Sequence, residues 1–205
     1  MREVPAGHPE KPQGADGFKL LDRMNGGSHQ ELAVWALAFL PVKSTDRILD
    51  IGCGGGANLA HLLKRAPEGR VTGVDYSAVS VQASSEYNAA AIAEGRCDVL
   101  EGDVHALPFN DDSFDIVTAF ETVYYWDLTA AFAEVRRVLK PGGTFLVSNE
   151  DDRSDAEVLE MAEKIPGMTI YAPEELEEPL QQAGFEITAV ERRPEIGHFA
   201  IFATK

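Results

Sequence analysis

The chain has 205 residues, with 34 acidic and 18 basic side chains and a formal net charge of −16 at pH 7. That length fits one α/β domain with some decoration, long enough to bury a core without disulfides or metals. The acidic balance argues against a nucleic-acid partner, which needs clustered Lys and Arg, and the two cysteines, Cys53 and Cys97, can form neither a disulfide framework nor a Cys-x-x-Cys metal pair.

Pro5, Gly7, Pro9, Pro12, Gly14 and Gly17 punctuate the first stretch. At that density they predict a disordered or loosely docked arm over 1–22, ahead of a single domain over 23–205. No apolar export segment is present, so with two free cysteines a cytoplasmic location is expected. Ser28-His29-Gln30-Glu31 has the form of a capping box. It opens a helix that runs to about Leu40 and is stopped by Pro41. That helix is apolar nearly all round and needs cover, so 23–41 is read as a lid against the sheet or over a ligand. Its uncharged run, Leu32 to Val42, is shorter than the roughly 18 residues of a membrane span, so none is expected.

From Asp46 strands and helices alternate. Strands are predicted at Arg47–Ile51, Val71–Val74, Val99–Glu101, Phe114–Phe120 and Thr144–Ser148, with helices near Ala57–Arg65, Val79–Glu94 and Leu128–Leu139. The pattern means a parallel sheet covered on both faces. Residues 150–172 hold a short acidic helix, Asp155–Lys164, expected above the site, with a solvated face as its plainest reading. Pro173 then opens a last helix and Gly184 closes it, with Pro179 inside expected to kink it. Phe185–Glu191 and Phe199–Thr204 lie too close for a crossover and pair antiparallel. The expected fold is a three-layer, doubly wound, Rossmann-like α/β domain, its seven-stranded sheet mostly parallel with a C-terminal antiparallel hairpin.

Two segments point to a nucleotide-like ligand. Leu49-Asp50-Ile51-Gly52-Cys53-Gly54-Gly55-Gly56-Ala57 is a strand ending in glycines, which let a ligand approach the backbone at the start of a helix. Gly73-Val74-Asp75-Tyr76-Ser77 puts an acid at the end of the second strand, where a carboxylate accepts both hydroxyls of a ribose. Alone these do not separate nicotinamide from other adenosyl ligands. A nicotinamide-dependent oxidoreductase remains an alternative but lacks a Tyr-x-x-x-Lys pair.

Glu101-Gly102-Asp103-Val104-His105-Ala106-Leu107-Pro108-Phe109, Asp112-Ser113-Phe114-Asp115 and Leu139-Lys140-Pro141-Gly142-Gly143 complete an ordered series. Together they resemble the class I S-adenosylmethionine-dependent methyltransferases, within them the small-molecule branch of ubiquinone and menaquinone biosynthesis C-methyltransferases. The resemblance covers Arg47 to Gly143 closely and the tail from Pro173 more loosely.

The resemblance implies S-adenosyl-L-methionine as cofactor and S-adenosyl-L-homocysteine as product. It gives Asp50 the glycine loop and the methionine ammonium, and brings Gly52, Cys53 and Gly54 close to methionine and ribose. Asp75 takes the ribose, Tyr76 stacks on adenine, Asp103 accepts from the adenine amino group and the Val104 amide donates to a ring nitrogen. No metal is required, since displacement at a sulfonium needs orientation and exclusion of water.

The small-molecule acceptor is expected after the fourth strand, where Phe120 and Glu121 lie near the methionine end and Tyr124, Tyr125 and Trp126 suit a planar or apolar compound. His29, Glu121 and Tyr124 are the catalytic candidates. His61, His105 and His198 are read as structural. A non-catalytic protein that binds the cofactor as a sensor or scaffold is the other alternative.

Overall fold

The computed structural model describes residues 11–205; the start of the expected arm, 1–10, lies outside the described residues. The strands are β1 (Arg47–Ile51), β2 (Arg70–Asp75), β3 (Cys97–Glu101), β4 (Phe114–Phe120), β5 (Leu139–Asn149), β6 (Glu186–Arg193) and β7 (His198–Thr204). They form one sheet in the order β3-β2-β1-β4-β5-β7-β6. The first five run parallel, and β7 is antiparallel to both β5 and β6, so the expected terminal hairpin is present. Register aligns Ile51 with Val74 and Ala119, Asp75 with Glu101, and Phe120 with Ser148. The C-terminal ends of β1 to β5 therefore share one edge. The chain order reverses between β1 and β4, the place where open α/β sheets take ligands.

Among the described residues eight α-helices accompany the sheet: α1 (Gly14–Met24), α2 (Gly27–Leu37), α3 (Ala57–Arg65), α4 (Ala78–Tyr87), α5 (Ala89–Ala93), α6 (Leu128–Val138), α7 (Ala156–Ala162) and α8 (Pro173–Gln182). Side chains alternate between the faces with the period of two that strands impose. Leu49, Ile51, Val117, Phe145 and Phe199 pack with Phe132 and Val135 of α6 and Leu176 of α8. Ile48, Val71, Ile116, Leu146 and Ala200 pack on the other face with Ala33 and Leu37 of α2 and Leu59 and Leu62 of α3.

Four sequence expectations are corrected. The loose arm is a helix from Gly14: α1 buries Leu20 and Leu21, and Gly17 sits where a Cβ would overlap Pro12. Ser77 fixes this segment by donating its hydroxyl to the Pro12 carbonyl at 2.8 Å. Ser28 does not cap α2, because the Gly26-Gly27 turn, with φ of 62° at Gly27, starts the helix two residues earlier. The helix expected over Val79–Glu94 is broken into α4 and α5 at Asn88, whose side-chain amide donates to the Gly56 and Ser84 carbonyls. The acidic segment does not line the main cavity; α7 packs Val158 and Ala162 against Tyr124 and Ile170. Asp155 caps α7, and Asp151 and Asp152 accept from the amides of Arg153 and Ser154.

The link from β3 to β4 is pinned to α6 by one guanidinium. Arg137 donates to both Glu134 carboxylate oxygens, to Asp111 and to the carbonyls of Leu107 and Phe109, at 2.7 to 3.0 Å. Glu134 in turn accepts from the Leu107 amide. Charge-assisted bonds of this kind contribute about 1.5–3 kcal/mol each when buried and less on a half-open surface. Arg137→Ala is therefore expected to lower stability by about 1–2 kcal/mol in urea titration. Hydrogen exchange is expected to rise over 103–111 more than over β1 or β4.

Candidate active site

The shared sheet edge carries a cavity of about 250 Å³. Its floor is the turn after β1. Gly52, Gly54 and Gly56 have φ of 72°, 51° and 87°, left-handed values that favour glycine. A Cβ at Gly52 would overlap the Thr122 side chain as well. The Gly52 and Cys53 amides donate to the Val74 carbonyl at 2.7 and 3.2 Å, so β2 holds the turn.

Asp75, at the end of β2, is 7% exposed and lines the cavity. One carboxylate oxygen accepts the Gly54 amide at 3.0 Å and the other the Ser77 amide at 2.9 Å. Burial pushes its pKa up, against these hydrogen bonds. Tyr76 lines the cavity and has the Lys11 ammonium 5.1 Å from its ring centre. Asn25, within the segment expected as a lid but given no role of its own there, reaches in between α1 and α2. It donates to the Gly55 carbonyl at 3.0 Å and accepts the Ala57 amide at 3.4 Å, the first amide of α3. No periodicity marks such a residue; only its place between helix and glycines did.

Asp50 differs from its expected placement. It lies on β1 beneath the turn, 1% exposed, and does not line the cavity. Thr118 of β4 donates to its Oδ1 at 2.6 Å, and its Oδ2 has no partner. Burial, with Asp75 nearby, pushes its pKa up to about 7.

After β3, Asp103 and Val104 line the cavity as expected. His105 donates its backbone amide to Asp103 Oδ1 at 2.9 Å, and its Nδ1 lies 2.6 Å from the same oxygen. The His105 Nε2 accepts the Asp127 amide, so the ring proton sits on Nδ1. His105 thus lines the cavity and joins Asp103 to the cap of α6. Hydrogen bonding from His105 holds the Asp103 pKa below the ordinary range.

The other end of the cavity follows β4. Phe120, Glu121, Tyr125 and Trp126 line it, joined by His29 and Gln30 from α2. Glu121 has φ of 55°, a strained value for a side-chain-bearing residue and one that collects at functional sites. Its Oε1 accepts the Tyr124 hydroxyl at 2.9 Å and also the Glu150 amide. Burial, then the neighbouring Glu150 carboxylate, pushes its pKa up to about 8. Tyr124 is itself buried outside the cavity lining, so of the three catalytic candidates only His29 and Glu121 face the space, and Tyr124 acts on Glu121. Cys53 lines the cavity as a buried thiol pushed up by burial, unsuited to nucleophilic attack. His61 lies outside the lining, and His198 is buried at the start of β7.

A family model described as a methyltransferase domain matches residues 49–147, the span from the glycine turn through β5. A ubiquinone/menaquinone biosynthesis C-methyltransferase of Dinoroseobacter shibae is 35% identical over 127 residues, 62% of this chain and 51% of that protein. The 24-methylenesterol C-methyltransferase 2 of Arabidopsis thaliana is 30% identical over 171 residues, 78% of this chain and 46% of that one. Among solved structures, a chain of the complex containing the Haloferax volcanii Trm112 methyltransferase activator superposes with a TM-score of 0.82 at 26% identity, covering 91% of this chain and 93% of that chain.

The chain carries, over residues 49–147, a methyltransferase domain of the class I S-adenosylmethionine-dependent type. It spans about half the length of the curated relatives it matches. The residues of this site fit the family's cofactor: the glycine turn keeps a cradle clear of side chains, and the buried Asp75 carboxylate lines it.

Asp50 and Glu121 both bind a proton more tightly folded than unfolded, where values of 3.8 and 4.5 apply. Their stabilising contribution is complete below those values and is lost as pH rises through about 7 and about 8. Asp115 and Glu134, held low by their cationic neighbours, act with the opposite sign at acid pH. The urea midpoint of the ligand-free protein is therefore expected to fall between about pH 5 and 8. Glu121→Gln is expected to flatten that fall.

Proposed function

We propose that the protein transfers a methyl group from S-adenosylmethionine to a small-molecule acceptor and releases S-adenosylhomocysteine. One observation carries the reading. A single cavity joins the glycine turn, Asp75 and Asp103 to the aromatic and acidic groups that follow β4, so donor and acceptor share one space.

In this reading Asp75 holds the ribose hydroxyls, Tyr76 and Val104 flank adenine, and Asp103 takes the adenine amino group. The glycine backbone at Gly52 and Gly54 runs against the methionine portion, and Asp50 supports that turn from beneath. The bound cofactor supplies an already activated methyl group on a sulfonium. The remaining work of the chain is orientation and exclusion of water, which supply up to about 7–11 kcal/mol. Met24, Asn25 and His29 close the space from the α1–α2 side. Phe120, Tyr125 and Trp126 offer flat apolar walls to the acceptor. The quinone and sterol C-methyltransferases among its relatives act on compounds of that shape. A free small molecule in the cytosol, rather than a nucleic acid, suits a chain of net charge −16.

Calorimetric titration with S-adenosylmethionine and with NADH is expected to show binding of the first alone. Asp75→Ala is expected to weaken it at least about tenfold, the worth of one charge-assisted hydrogen bond. Unchanged affinity in that variant would remove Asp75 from the site, and release of S-adenosylhomocysteine in the presence of quinol or sterol acceptors tests the transfer itself.

A further inference from the structure

We propose that His29, Glu121 and Glu150 form a binding site for a divalent transition-metal ion of the Mn2+ or Zn2+ kind at the acceptor end of the cavity. One ligating atom from each lies within 4.8 Å of the other two. They come from three separate elements: the first turn of α2, the strained residue that ends β4, and the residue that follows β5. Small side-chain rotations bring one imidazole nitrogen and two carboxylate oxygens onto a common ion, with coordination positions left for water or an acceptor oxygen.

The surroundings also call for positive charge. Glu150 Oε1 is buried with no hydrogen-bond partner. The charged groups that act on Glu121 are Glu150 and Asp151, both acids, with no Lys or Arg among them. A second unpartnered group sits alongside. His198 is 6% exposed with Nδ1 unsatisfied, and β5–β7 pairing ends at Asn149 opposite Phe199, which brings His198 next to Glu150. Glu150 is the strongest charged influence on that ring. Two carboxylates buried together need a proton or a cation between them. A dipositive ion between them would satisfy Glu121 and Glu150 together.

The donor set selects the ion. Mg2+ and Ca2+ prefer oxygen donors throughout, whereas one imidazole with two carboxylates suits Mn2+, Fe2+ or Zn2+. The chemistry of methyl transfer requires no metal, which is why the motifs suggested none. The inference does not rest on the methyl-transfer reading, because ion binding is measured without cofactor or acceptor.

The test is titration of the full, chelator-stripped chain with Mn2+ in about 0.15 M salt, which screens diffuse surface binding, with free ion followed by electron paramagnetic resonance. One saturable site per chain is expected, displaced by Zn2+, and Mn2+ is expected to raise the thermal midpoint. Glu150→Gln and His29→Ala should each weaken the site at least tenfold and abolish the thermal shift, while Asp152→Asn changes neither. Absence of a saturable site, or wild-type affinity in the His29 and Glu150 variants, overturns the proposal. His29 is only partly buried at the start of α2, so its variant decides the question if Glu150→Gln fails to fold.

Discussion

The site depends on how the Asp75 carboxylate is used. Its two oxygens take the amides of Gly54 and Ser77, tying the turn after β1 to the end of β2 and the start of α4. Ser77 extends the tie by accepting the Ser80 amide and donating to Pro12, which brings the segment before α1 to the same edge. One buried acid thus links three pieces of chain far apart in sequence. Each oxygen keeps lone-pair capacity after taking one amide, so the carboxylate that shapes the cavity wall can also bind a ligand.

That edge is anionic to an unusual degree for its burial. Asp50, Asp75 and Glu121 gather there, held by amides and hydroxyls, with the unpartnered Glu150 Oε1 beside them; the strong ion pairs of the chain, such as Arg137 with Glu134 and Lys140 with Asp115, lie elsewhere. Buried carboxylates without cations are stable only where protons or hydrogen bonds compensate them. The upward pKa shifts at Asp50, Asp75 and Glu121 are that compensation at work. The overall charge of −16 bounded the class of partner, while these few positions give the acidity a local meaning.

The sheet was legible because strands and helices alternate with clear periods and the glycines fall directly after β1. Pro173 and Gly184 marked the ends of α8 for equally local reasons, the missing amide of proline and the φ of 90° at Gly184. The failures were places where tertiary contact overrides local propensity. Pro12 and Gly17 read as helix breakers, yet glycine is what lets α1 lie against Pro12. Asn88 carries no breaker signal, and its side chain is claimed by the Gly56 carbonyl 32 residues away. Glu150 opens an acidic run that reads as solvated surface; only the end of β5 turns Glu150 and Asp151 inward while Asp152 and Asp155 serve local turns.

The two ends of the cavity differ in what their acids can do. At the donor end Asp50 and Asp75 belong to neighbouring parallel strands, with their hydrogen bonds fixed by sheet register, so their spacing cannot adjust much to a ligand. At the acceptor end Glu121 leaves β4 through a left-handed residue, Glu150 follows β5, and His29 rides on α2, held by apolar packing rather than by the sheet's hydrogen bonds. The acceptor end can therefore adjust its side chains to a ligand, where the donor end is fixed by sheet register.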